Sequence, residues 1–145
     1  LSNIKNDAIK SILSAKLLEA QNRGISISVE IEEPVSNFRI ELLDFITILS
    51  VLCDNAIEAT IEAISPRMTV AFMNNDDSLV LIVENSIKSE KVDVNHIFAR
   101  GYSSKGEGRG LGLHNVNSIL EKYPKSTIST HSANHLFSQT IRFCK

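Results

Sequence analysis

The chain has 145 residues, 43% of them hydrophobic and 22% charged, with a formal net charge of −2. That is enough chain for one domain with a real core, and the balance is that of an ordinary soluble globular protein, not the basic excess of a nucleic-acid binder. The longest purely aliphatic run, Leu79 to Val83, is far too short to span a bilayer, and no signal peptide opens the sequence.

Ile9, Ile12, Leu13, Leu17 and Ala20 recur at steps of three and four. They predict a helix from Ile4 to Gln21 with Gly24 as its stop. A helical pattern already running at Ile4, with no cap before it, is expected of a connection from an upstream helix. Residues 1–23 are read as that connection and 24–145 as one domain. Ile25, Ile27, Val29 and Ile31 then alternate with serine and glutamate as in a strand with one wet face, ended by Pro34. From Glu41 to about Ile64, a broad apolar stripe runs through Leu42, Phe45, Leu49, Leu52, Cys53, Ala56 and Ile57, predicting a long helix.

Met68, Val70 and Phe72 alternate into the turn cluster at residues 74–77, and Leu79 to Val83 reads as the buried second arm of a hairpin. From Asn85 to Gly110 the pattern is irregular apart from a short turn near Val94 to Phe98, as expected of a functional lid. Gly110 to Tyr123 predicts a helix closed by Pro124, and Ile128 to Phe143 a closing antiparallel pair around Ser132 to Asn134. The order predicts a two-layer α/β sandwich, with helices on one face of a mixed sheet. Cys53 and Cys144 have no metal-ligand spacing between them and are expected to stay reduced, which suits the cytoplasm.

Five of the six glycines fall between Gly101 and Gly112, directly before the third predicted helix. Glycine lets backbone N–H groups approach an anion, Lys105 and Arg109 bring positive charge, and the helix N-terminus adds its own. A Walker A loop fails, because Gly106 is followed by Glu107-Gly108 and not by Lys-Ser/Thr. The dinucleotide fingerprint fails too, because Leu111 stands where its third glycine belongs. Taken alone, such a run is also the composition of a flexible connector.

A second motif, Asp54-Asn55-Ala56, lies in the middle of the long helix. On a helical wheel Asn55 sits at the border of the apolar stripe, on the side of Asp44 and Glu62. A carboxamide oxygen there can ligate Mg²⁺ whose other ligands are phosphate and water. The alternative is a pair of solvated helix residues, although asparagine is a weak helix former in that place.

In order and spacing these motifs resemble the catalytic, ATP-binding domain of sensor histidine kinases, within the fold shared by gyrase, heat-shock chaperones, histidine kinases and MutL. Asp54-Asn55-Ala56 resembles the N box. Ile97-Phe98 with Gly101 to Lys105 resembles the F box and the start of the lid, and Gly108 to Leu113 resembles the G2 box. The wording of Asp54 to Ala59 and of Tyr102 to Gly106 is similar to the peptide quorum-sensing kinases, especially the receptor kinase of the accessory gene regulator system.

The resemblance implies ATP with Mg²⁺, the metal on Asn55. Lys105 and Arg109 would face phosphate oxygens, and the amides of Gly108, Gly110, Leu111 and Gly112 would lie along the phosphate chain. Phe98 and Tyr102 would help close a lid over the nucleotide. It further implies a parent protein that is a membrane-bound homodimer with this domain on its cytoplasmic side. That parent would carry a separate dimerisation and phosphoacceptor domain and would signal to a response regulator. Asn85 occupies the place of the G1-box aspartate that binds the adenine amino group; it can still accept a hydrogen bond but without charge, a loss of about 1 kcal/mol. Val51 stands where hydrolytic relatives carry a general-base glutamate, so transfer is favoured over hydrolysis.

His131 and His135 have i, i+4 spacing but sit in a turn region without an intervening glutamate, so no zinc site is expected. His96 and His114 read as surface or packing residues, which leaves the substrate histidine outside this chain. Two other readings share these motifs: a stand-alone serine kinase of the anti-sigma-factor type, and an interaction module that has lost its chemistry.

Overall fold

The computed structural model describes residues 6–31, 40–74, 78–90 and 111–144. Three helices and five strands follow one another as α1 (Asp7–Asn22), β1 (Ser26–Ile31), α2 (Leu42–Thr60), β2 (Arg67–Asn74), β3 (Ser78–Ser86), α3 (Leu111–Leu120), β4 (Ser126–Ala133) and β5 (Leu136–Cys144).

Helix α1 does have a cap, contrary to the expectation of a helix running through Ile4. The Asn6 carboxamide oxygen accepts the Ile9 N–H at 3.1 Å and fixes the start at Asp7. Gly24 stops the helix as predicted. At φ +79° it lets Ile25 N–H reach back to Ala20 O and its own N–H reach Gln21 O, a Schellman closure that turns the chain directly into β1. Ile9, Leu13 and Ala20 are fully buried in the common core, so α1 packs as part of the domain.

The strands form one sheet in the order β1-β2-β3-β5-β4, with β1 parallel to β2 and every other pair antiparallel. Register places Ile31, Phe72, Leu81, Ile141 and Ile128 in one row across all five strands, and Ile27, Met68, Asn85, Phe137 and Ser132 in another on the same, helix-facing side. Phe45 of α2 enters this surface between Phe72 and Phe143, with ring centroids 6.4 and 5.9 Å away in tilted contacts. The edge strands carry their exposed serines and Glu30 on the opposite face. The mixed sheet with helices packed on it is the predicted α/β architecture.

Other boundaries differ from expectation too, among them the end of α3, at Leu120 and not at Tyr123. Helix α2 ends at Thr60 and not near Ile64, because the Thr60 hydroxyl is taken up by Arg67 N–H at 2.9 Å and by Ser86 Oγ at 2.6 Å. Strand β3 continues through Asn85 and Ser86, which pair with Met68 and Leu136 respectively. The last hairpin turns at Asn134-His135, both with positive φ, one residue later than the sequence indicated. Among the described residues no helix is long and apolar enough to cross a membrane.

Candidate functional site

The site is built on the middle of α2. Leu52, Cys53, Ala56 and Ile57 are buried against the sheet, and this anchors the two polar residues between them, Asp54 and Asn55, half-buried at the margin of the core. The Asp54 carboxylate meets the Lys16 ammonium of α1 at 2.7 Å. Burial, reinforced by the neighbouring Asp54 charge, pushes the Cys53 thiol up to about 12, which keeps it protonated and inert.

Helix α3 begins against α2 at this level. A Cβ on Gly112 would lie 3.2 Å from Val51 Cγ1, so any larger residue would need the neighbour to give by a few tenths of an ångström. Val51 is one turn before Asn55, so the first turn of α3 meets α2 one turn away from the carboxamide. Lys105, Gly108, Arg109 and Gly110, with Phe98, Tyr102 and the rest of the predicted lid, lie outside the described residues.

The far end of α3 is fastened as well. Tyr123 donates its hydroxyl hydrogen to the Asp44 carboxylate and accepts the Glu41 N–H at 3.2 Å, which satisfies one of the open amides at the start of α2. The Tyr123 bond, with Lys122 Nζ at 3.3 Å from both carboxylate oxygens, holds Asp44 below the usual carboxylate range. Burial and the same hydrogen bond raise the Tyr123 phenol. Helices α2 and α3 are thus tied at Gly112 and at Tyr123, which sets the position of the glycine-bearing end relative to Asn55.

The third side is the end of β3. Asn85 is only 3% exposed and looks toward the helices; its amide nitrogen donates to Ser86 O at 3.0 Å, which leaves its oxygen as the atom turned away from that bond. Ser86 is locked in turn, with its hydroxyl within 2.9 Å of Ser65 O and 3.1 Å of Arg67 N, and Ile87 N–H bonds His135 O at 2.9 Å. The segment that follows Asn85 is held by the α2 terminus and by the last hairpin, in place of the glycines the resemblance calls for.

Asn55 suits a hard divalent cation that takes the rest of its shell from phosphate and water. Among the described residues no group of three or more histidine, cysteine or acidic side chains could hold a metal. The two i, i+4 histidines diverge, His131 in exposed β4 and His135 in the turn with its ring 3.2 Å from Lys88 O.

A family model described as GHKL domain matches residues 40–144, from the start of α2 to the end of β5. The chain belongs to the GHKL family. This GHKL domain is 30% identical over 125 residues to the sensor protein CitS of Bacillus subtilis (strain 168), an alignment that covers 83% of the chain and 23% of that protein. It is likewise 30% identical over 144 residues to the sensor histidine kinase DcuS of Escherichia coli (strain K12), covering 96% and 26%. The chain spans about a quarter of the length of these relatives. In fold it is similar to the catalytic domain of histidine kinase ThkA, with a TM-score of 0.80 at 19% identity over 97% of the chain and 92% of the other. It is similar too to the mycobacterial sensor histidine kinase MprB, with a TM-score of 0.71 at 15% identity over 93% and 94%. By family this is a GHKL domain, and its fold is the one seen in histidine kinase catalytic domains.

The Lys16–Asp54 and Asp44–Tyr123 pairs were not foreseen from sequence. One signal was available: Ile9, Leu13, Lys16 and Ala20 form a single helical stripe, and a lysine in such a stripe requires a partner.

Proposed function

We propose that this domain is the ATP-binding catalytic half of a two-component sensor histidine kinase, transferring the γ-phosphoryl group of ATP to a histidine on a separate dimerisation domain. The observation that supports this reading is the close approach of Gly112, at the start of α3, to Val51, one helical turn before Asn55 on α2. The chain's own contribution is placement and charge. Asn55 would hold Mg²⁺, which neutralises charge on the phosphates when bound. The Leu111 and Gly112 amides would line the phosphate chain, with Lys105, Arg109, Gly108 and Gly110 supplied by the preceding loop.

A loose transition state needs alignment and electrostatic support more than a protein nucleophile. A nitrogen of the acceptor imidazole forms the new bond to the γ-phosphorus as the bond to the β–γ bridging oxygen breaks, and ADP leaves. Val51, apolar and packed against Gly112, cannot activate water, which favours transfer over hydrolysis.

At the base end, Asn85 would accept the adenine amino hydrogen, its oxygen oriented by the bond to Ser86. Replacing it with aspartate would separate two effects. The charged acceptor should strengthen ATP-analogue binding about fivefold. The unbound domain should lose about 1–3 kcal/mol, because a buried carboxylate replaces the donor to Ser86 O. Calorimetric titration beside thermal melts reads both, and loss of affinity in Asn85→Asp would count against this placement of the base.

The parent is proposed to be a membrane-bound homodimer with this domain on the cytoplasmic side, acting on a response regulator in peptide quorum sensing. The wording around Asn55 and Tyr102 to Gly106 supports that input class. Mixing the domain with Mg²⁺-ATP and a separately made phosphoacceptor domain tests the reading. Acid-labile phosphohistidine is expected; phosphoserine on another partner would indicate the stand-alone kinase, and absence of nucleotide binding the interaction module.

A further inference from the structure

Helix α1 contributes one charged side chain to the centre of α2. Ile9, Leu13 and Ala20 are each 0% exposed, and Lys16 lies in the same stripe. Docking of α1 therefore fixes where the lysine stem runs, and its ammonium emerges beside Asp54 at 2.7 Å. The lysine side chain is 18% exposed, while the aspartate remains 47% exposed. A pair this open to water adds little to stability, so its place in the fold calls for another account.

Asp54 directly precedes Asn55. Successive residues on a helix diverge by about 100°, so an Asp54 carboxylate released from Lys16 has rotamers that swing toward the Asn55 side. An uncompensated carboxylate there would repel the phosphates of a nucleotide and compete with the carboxamide for a cation. We infer that Lys16 is a positioning residue for the phosphate end of the site: it holds the Asp54 carboxylate on the α1 side and cancels its charge. The inference rests on the proposed reading of Asn55 as the residue at the phosphates.

A charge effect scales with phosphate number, whereas a misplaced helix would disturb every ligand alike. Adenosine, ADP and a non-hydrolysable ATP analogue are therefore titrated calorimetrically into the whole domain, with a chelator present so that no metal masks the phosphate charge. The proteins are wild type, Lys16→Met, Lys16→Arg, Asp54→Asn and the double variant Lys16→Met/Asp54→Asn, each first checked by thermal melting.

Lys16→Met should weaken the triphosphate roughly three- to tenfold, ADP less, and adenosine not at all, with the loss shrinking as salt is raised. Lys16→Arg should bind like wild type, and Asp54→Asn should restore triphosphate affinity in the Lys16→Met background. Equal loss across the three ligands, or no rescue by Asp54→Asn, overturns the inference. So does an unchanged triphosphate affinity in Lys16→Met while wild type binds normally. A wild-type domain that binds none of the three ligands instead overturns the nucleotide-site reading and this inference with it.

Discussion

Substituting alanine for Gly112 puts the α2–α3 contact under direct test. The added Cβ would stand 3.2 Å from Val51 Cγ1, short of the roughly 3.5–4.0 Å at which carbons pack without repulsion. Either the helices separate by a few tenths of an ångström or Val51 leaves its rotamer. On a helix valine is stiff at χ1, and a displaced rotamer costs about 0.5–1.5 kcal/mol. Against that, alanine is a better helix former than glycine by up to about 1 kcal/mol, less in a first turn. The terms nearly cancel, so the melting temperature should move by no more than about 4 °C. Nucleotide affinity reads the position of the α3 start and not its stability, and should fall roughly five- to tenfold. Parallel melting and calorimetric titration of an ATP analogue separate the two readouts. Val51→Ala, which removes Cγ1, should recover affinity in the Gly112→Ala background and show coupling of at least about 0.5 kcal/mol. Wild-type affinity in Gly112→Ala, or no recovery in the double variant, would refute the claim that this approach sets the site.

Phe45→Ala removes the ring between Phe72 and Phe143. It should cost about 3–5 kcal/mol in urea denaturation, a large share of the roughly 5–15 kcal/mol that hold such a domain together. Cys144 is half-buried and Cys53 buried with its thiol at about 12. Ellman's reagent at pH 8 should therefore titrate Cys144 in the native domain and Cys53 only after denaturant is added. The Cys53 pKa is raised from 9.0 in the fold, so the native state prefers the protonated thiol. Its contribution is intact below pH 9 and is lost as pH rises toward 12. Alkaline loss of stability should be shallower in Cys53→Ala, and identical slopes would contradict the assignment.

What could be read in the chain follows from how each element meets water. Helices α1 and α2 have one dry face and one wet one, so spacing alone located them. Their ends escaped that logic. Ile61 and Ile64 continue the α2 stripe by spacing, yet they are 41% and 95% exposed, because Thr60 has already turned its hydroxyl to Arg67 and Ser86. Apolar period survives the end of a helix; hydrogen bonding decides where that end falls. Strand β3 was cut short for the opposite reason. Asn85 and Ser86 look like loop residues, but Asn85 has ladder partners on both sides and Ser86 pairs with Leu136 of β5.

The Asn134-His135 turn needs two left-handed residues; asparagine and histidine are among the non-glycine residues that adopt that conformation most often, but the preference is too weak to fix the turn position from sequence. For the proposed site, Asn55 stands out in the sequence because a polar amide interrupts a core helix, and Gly112 because the glycines crowd before a helix. Lys16 with Asp54, and Asp44 with Tyr123, join residues 38 and 79 positions apart, and only the folded topology brings them together.

One feature of the sheet bears on how force would pass through the domain. Among the described residues, strand β1 is an edge strand with a single neighbour, β2, and its inward residues are only half-buried, while α1 runs into it through the Gly24 closure without slack. A pull along α1 would therefore load the one ladder between β1 and β2, leaving Asn85 shielded in a central strand paired on both sides. In hydrogen exchange, the amides of β1 should open well before those of β3, making the first strand the compliant element and the strand proposed to meet the base the stiff one.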